Sequence, residues 1–145
     1  MLVLSVSSPR AGSSWYYHMT NALIVASGGS DIDDIRHRFH TLFPSATENA
    51  NIGILNGYKL LRLVLITHLA PSFTVKSHAK PTRGLRVLTK LGYIKSTFIY
   101  RDPRDRLVSI LKVSEKRRRN GVTDRSFGIF SGFDDVLEDV SHSYR

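Results

Sequence analysis

Apolar positions along this chain fall into two patterns: short runs that break abruptly into polar clusters, and longer segments with apolar residues at helical spacing. Leu2, Val3, Leu4 and Val6 form the first run, as suits a buried strand of a parallel sheet. Small residues around one arginine follow, and a mostly apolar segment predicts a helix over 16–26. Gly28-Gly29-Ser30 marks a loop, and Asp31 can cap a helix predicted over 32–43, with Ile35, Phe39, Leu42 and Phe43 at helical spacing. After a polar connection over 44–56, the leucine-rich stretch 57–70 predicts a buried helix stopped by Pro71. Its apolar residues lack clear periodicity, so a strand over part of it stays open. Phe73-Thr74-Val75 predicts a short strand running into Lys76-Ser77-His78. A short helix over 83–91 is closed by Gly92, and a further strand covers 96–100. Pro103 opens a helix over 103–116, whose end carries Arg117-Arg118-Arg119 where the helix dipole favours cations. From 122 to 145 the pattern weakens, leaving one helix over 133–140.

Strand-then-helix alternation predicts a three-layer α/β/α fold with a mainly parallel sheet, built as a single domain over residues 1–145. Composition excludes several other classes. No apolar run reaches the length of a membrane span, since 60–70 is short and carries Arg62 and His68. Met1 leads almost directly into the first strand, so no signal peptide is expected. The absence of cysteine excludes disulfides and thiolate metal sites, and the expected location is cytoplasmic. Net charge is +9 and unevenly placed: residues 1–75 hold 5 basic and 4 acidic residues, residues 76–145 hold 16 and 8. That asymmetry suits a polyanionic ligand, a nucleotide or a nucleic acid, although a solvated basic surface has the same composition.

Ligands of parallel sheets bind at the C-terminal ends of strands. Three polar constellations fall at three expected strand ends: Pro9 to Trp15, Lys76 to His78, and Arg101 to Ser109. In the first, a small-residue loop enters a helix, an arrangement that presents backbone N–H groups to an anion. Gly12 lets the backbone approach, Ser13 and Ser14 add hydroxyls, and Arg10 supplies a fixed charge; taken alone, the loop is a plain helix start. Lys76 and His78, two residues apart, face one side of an extended chain. Arg101 directly follows a strand but has Asp102 and Asp105 as surface partners, and a helical Ser109 is unremarkable by itself. Trp15 reads as core or as a stacking surface for a base. His18, His37, His40, His68 and His142 have no such context and read as structural. No acidic pair suggests a metal.

These residues resemble the sulfotransferases that use 3′-phosphoadenylyl sulfate (PAPS), over residues 2 to roughly 115. Ser8-Pro9-Arg10-Ala11-Gly12-Ser13-Ser14-Trp15 is similar to that family's 5′-phosphosulfate loop, Val75-Lys76-Ser77-His78 to the segment with its catalytic histidine, and Ile99 to Ser109 to its 3′-phosphate motif. The resemblance implies a P-loop NTPase-like fold and sulfuryl transfer from PAPS, as co-substrate without a metal, to a hydroxyl or amine of a small-molecule or carbohydrate acceptor. It implies His78 as general base, with Arg10 and Lys76 stabilising the leaving phosphate. Arg10, Ala11, Gly12, Ser13, Ser14 and Trp15 would bind the phosphosulfate, and Arg101 and Ser109 the 3′-phosphate. Arg10 stands where animal cytosolic members usually have lysine, as is familiar in bacterial-type members. The family's C-terminal Arg-Lys-Gly segment has no counterpart, which implies a chain truncated at its C-terminal portion. A non-catalytic nucleotide-binding remnant of the fold is one alternative. A basic nucleic-acid-binding module is another, though no helix-turn-helix or RNA-binding motif accompanies the charge. The loop lacks the glycine spacing and lysine of a kinase-type P-loop.

Overall fold

The computed structural model describes residues 1–44, 46–47, 50–121, 130 and 132–143. Of the weakly patterned stretch expected after 121, residues 122–129, 131 and 144–145 lie outside the described residues. The chain divides into two compact units, Met1–Ile99 and Tyr100–Arg145.

The first unit is α/β. Its order is β1 (Leu2–Ser7), α1 (Ser13–Ala26), α2 (Ile32–Arg38), α3 (Gly57–Leu69), β2 (Phe73–Ser77), α4 (Arg83–Lys90) and β3 (Ile94–Ile99). The three strands form one parallel sheet in the order β2-β1-β3. Leu2 lies opposite Phe73 on one side and Ile94 on the other, so the strands start level and end together near Ser7, Ser77 and Ile99. The central position of β1 follows from its composition, since Leu2, Val3 and Leu4 are all buried.

Strand alternation sends Leu2, Leu4, Phe73, Val75 and Ile94 to one face, where they join the main core with Leu60, Leu63, Ile66 and Leu85 of α3 and α4. Val3, Ser5, Ser7, Thr74 and Lys76 point to the other face, on which Lys76 reaches α1. Helices on both faces are compatible with a three-layer α/β/α arrangement.

Asp31, Asn56 and Thr82 cap α2, α3 and α4 by accepting first-turn N–H groups, as their residue types favour. Helix α2 is shorter than the 32–43 expected. It ends at Arg38, and Phe39, Leu42 and Phe43 continue as a turn that packs on the same core. Pro44 disfavours helical geometry in the residue before it, so tertiary packing rather than helix periodicity sets the spacing there. Helix α3 is helical throughout, which closes the strand alternative, but it is only half-buried: Leu61, Leu65 and Leu69 remain exposed. Strand β3 starts two residues earlier than expected, and α1 starts at Ser13.

The second unit contains α5 (Pro103–Arg119) and α6 (Phe133–Ser143), each longer than expected by about one turn. Leu107, Ile110 and Val136 form its core, with Leu111 and Phe130 packed against them. Asp102 caps α5, and Pro103 opens it.

The turn after α1 generates a prediction. A Cβ on Gly29 would lie 2.5 Å from the Ser72 carbonyl and 2.8 Å from that of Ile24, whereas Gly28 meets nothing within 4 Å but has φ +89°. Gly29→Ala should therefore destabilise the fold by about 2–3 kcal/mol through overpacking. Gly28→Ala should cost about 1 kcal/mol through backbone strain alone. Chemical denaturation of the two variants measures the difference; equal losses would place the strain, not the contact, in control.

Candidate anion site at the end of the sheet

At its C-terminal end β1 leaves the sheet through Ser8-Pro9-Arg10-Ala11-Gly12 and enters α1. The loop is tightly turned: the Ala11 N–H donates to the Ser8 carbonyl at 3.2 Å, and the Gly12 carbonyl accepts from Tyr16 N–H at 3.1 Å. Arg10 has φ +65° and Gly12 φ +91°, both in the left-handed region. Glycine adopts it freely, whereas an arginine there carries strain that neighbouring structure must impose. Gly12 is the N-cap of α1 and has no side-chain oxygen to accept the first-turn N–H groups. In α2 to α5 an Asp, Asn or Thr does that. With no acidic residue in its first turn, α1 has neither a side-chain cap nor a carboxylate of its own to offset the partial positive charge at its N-terminus.

Two side chains from the end of β2 reach this segment. Lys76, only 4 % exposed, directs its Nζ to Ser14 Oγ at 3.2 Å. Burial lowers its pKa from the ordinary lysine value, because the charged form loses hydration, and no ion pair with it forms among the described residues. His78, just beyond the strand, places Nδ1 2.8 Å from the Ser7 carbonyl and 3.2 Å from Ser7 Oγ. A carbonyl only accepts, so the contact fixes the proton on Nδ1 in the neutral ring and makes Nε2 the basic nitrogen. Ser77 faces the other side and donates to the Gly53 carbonyl at 2.8 Å.

The structure thus brings Arg10, Ala11, Gly12, Ser13, Ser14, Trp15, Lys76 and His78 to one end of one sheet. Within that set Ala11 and Ser13 are buried, whereas Arg10, Gly12, Ser14 and Trp15 are exposed. Trp15 is 67 % exposed and takes no part in the core. Arg101 and Ser109 belong to the second unit, just before and within α5. Arg101 is exposed, with Nε 3.7 Å from Asp105 Oδ2, and Ser109 is half-buried. An exposed pair of that kind contributes about 0–1 kcal/mol.

Sequence reasoning missed Ser7. Its role runs through a backbone carbonyl, which residue type does not reveal; the only signal was its position as the last residue of a strand. The other histidines have different surroundings, His18 against the Tyr17 ring and His68 against Tyr93. The His142 side chain lies outside the described residues. Among the described residues no group of three metal-ligating side chains forms, and no helix is long and apolar enough to cross a membrane. No family model matches the chain, and no curated protein or solved structure matches it.

A buried cation beside a polar loop costs stability that an apolar side chain would not. Lys76→Met should raise stability by about 1 kcal/mol, while weakening any anion bound at the loop. Because its folded pKa is lowered, the folded protein binds fewer protons than the unfolded chain between that lowered value and the ordinary lysine value. Stability of the native chain should therefore rise with pH across that window and that slope should vanish in Lys76→Met. Denaturation at a series of alkaline pH values measures both effects.

Proposed function

We propose that this protein is a sulfotransferase that uses 3′-phosphoadenylyl sulfate, on a P-loop-like three-layer fold. The observation that carries the reading is the attachment of the β2 end to the end of β1 and the start of α1: His78 held by Ser7, and Lys76 held by Ser14. It brings a small-residue loop at a helix N-terminus, a buried cation and an oriented imidazole together, and these support the reading because sulfuryl transfer calls for an anion site, a charge and a base.

The residues fit the co-substrate. The uncapped N–H groups of α1, with Ser13, Ser14 and Arg10, suit the phosphosulfate oxygens, and exposed Trp15 offers an aromatic face beside them. Bound PAPS supplies an activated sulfuryl group. An acceptor hydroxyl is a poor nucleophile, so its proton must leave as its oxygen attacks, and Nε2 of His78 takes it. Negative charge then grows on the phosphate oxygen that departs. Lys76 lies in a desolvated position where a charge acts strongly, and it is stabilised as an ammonium by that anion. Arg10 stays charged throughout and acts electrostatically, not as a proton donor. Arg101 and Ser109 are assigned to the 3′-phosphate by their motif.

Transfer of labelled sulfate from PAPS to a panel of alcohols, phenols, sugars and amines tests the reading. His78→Ala should lower the rate by roughly two to four orders of magnitude and leave nucleotide affinity nearly intact; an unchanged rate would remove His78 as the base. A chain that binds the nucleotide but transfers nothing to any acceptor would be a binding remnant of the fold.

Adenosine 3′,5′-bisphosphate should raise the thermal midpoint far more than 5′-AMP, by mass action on the folded state. Arg101→Ala should weaken the bisphosphate by about 2 kcal/mol and affect 5′-AMP little. Equal thermal shifts for the two nucleotides would withdraw Arg101 and Ser109 from the site.

A further inference from the structure

On the opposite face of the sheet from α1, a recess of about 520 Å³ opens between α4 and the β1–β3 half of the sheet. Its walls are apolar: Leu4 and Val6 of β1, Leu55, Leu85 of α4, and Phe98 of β3. Phe98 is 63 % exposed, although it stands in a strand and against other apolar side chains. The volume lies within the range of about 300–1,000 Å³ typical of small-molecule sites.

The charged residues of the wall are all of one sign. Lys80, Arg86 and Lys90 line the recess, Arg86 and Lys90 one helical turn apart on α4, and no Asp or Glu among the described residues does. None of the three makes an ion pair among the described residues, and α3 and α4 contain no acidic residue to supply one. The hydroxyls of the wall are otherwise engaged. Ser77 donates to Gly53, and Thr89 donates to the Leu85 carbonyl and meets Ser96 at 3.4 Å.

We infer that this recess binds a small amphipathic anion, an apolar chain or ring carrying one carboxylate, with the body against Leu4, Val6 and Phe98 and the acid on Arg86 and Lys90. Apolar walls alone would accept any oily molecule, and three cations alone would accept any anion. Together they select a molecule that has both parts, and they disfavour a cationic amphiphile of equal length. A second copy of this face is excluded as occupant by the same charges, which would oppose one another. The inference stands apart from sulfuryl transfer, since it uses neither the loop nor His78.

Calorimetric titration of the full chain with decanoate and with decyltrimethylammonium, both below their micelle concentrations, tests it. Decanoate should bind one to one and saturably, and the cationic analogue at least about tenfold more weakly. Arg86→Glu combined with Lys90→Glu should weaken decanoate by at least about tenfold while leaving the circular dichroism spectrum and nucleotide binding unchanged. Ser96→Trp should fill the recess and abolish decanoate binding. Should that variant fail to fold, amide shifts of the native chain on adding decanoate provide the second measurement and should concentrate in residues 77–90 and 96–98. Equal affinity for the two amphiphiles, decanoate binding that survives the charge reversal, or shifts centred elsewhere would overturn the assignment.

Discussion

The first unit depends on the burial of one strand. β1 is paired on both edges by parallel neighbours, and its Leu2, Val3 and Leu4 are removed from water on both faces. Its backbone groups are satisfied by β2 and β3, and its side chains by the helices, so neither edge nor face can be given up separately. That position also determines where chemistry can occur. A central parallel strand must leave the sheet at its C-terminal end, and there its carbonyls, the following loop and the ends of both neighbours meet.

What gathers at that end is unfavourable to stability. Arg10 holds a left-handed backbone, α1 lacks a side-chain cap, and Lys76 is buried with no acidic partner among the described residues. Each feature costs folding free energy, and in the proposed reading each would serve an anion: the missing cap would leave N–H groups to a ligand, and the desolvated ammonium would act through a low dielectric. Local rules are broken here and obeyed a few residues away, where Asp31, Asn56 and Thr82 cap their helices in the usual manner. That contrast is expected of a functional site. The recess on the other face uses different physics, setting an apolar wall beside cations that form no ion pair among the described residues.

Most elements were legible from local chemistry. The Leu2–Val6 run, Asp31, Pro71, Gly92 and Pro103 each act on their immediate neighbours, and the strands and helices they delimit appear within a few residues of expectation. The misses share a cause. Phe39, Leu42 and Phe43 have helical spacing but are positioned by a core they reach from a turn. Helix α3 reads as buried from its leucines, yet three of them face outward, because a helix laid on one face of a sheet buries only one of its own sides.

By itself the sequence determined the α/β alternation, the parallel sheet and the residue types placed at each strand end, because these follow from period, punctuation and strand burial. The contacts among those residues were decided only by the tertiary structure. Lys76 and Ser14 lie far apart in the chain, as do His78 and Ser7, and they meet because β2 pairs with β1 in one particular register. A shift of one residue would turn Lys76 to the apolar face and separate His78 from the Ser7 carbonyl. Register is set by the summed burial of Leu2, Leu4, Phe73 and Val75, a property of the packed core that no single motif contains.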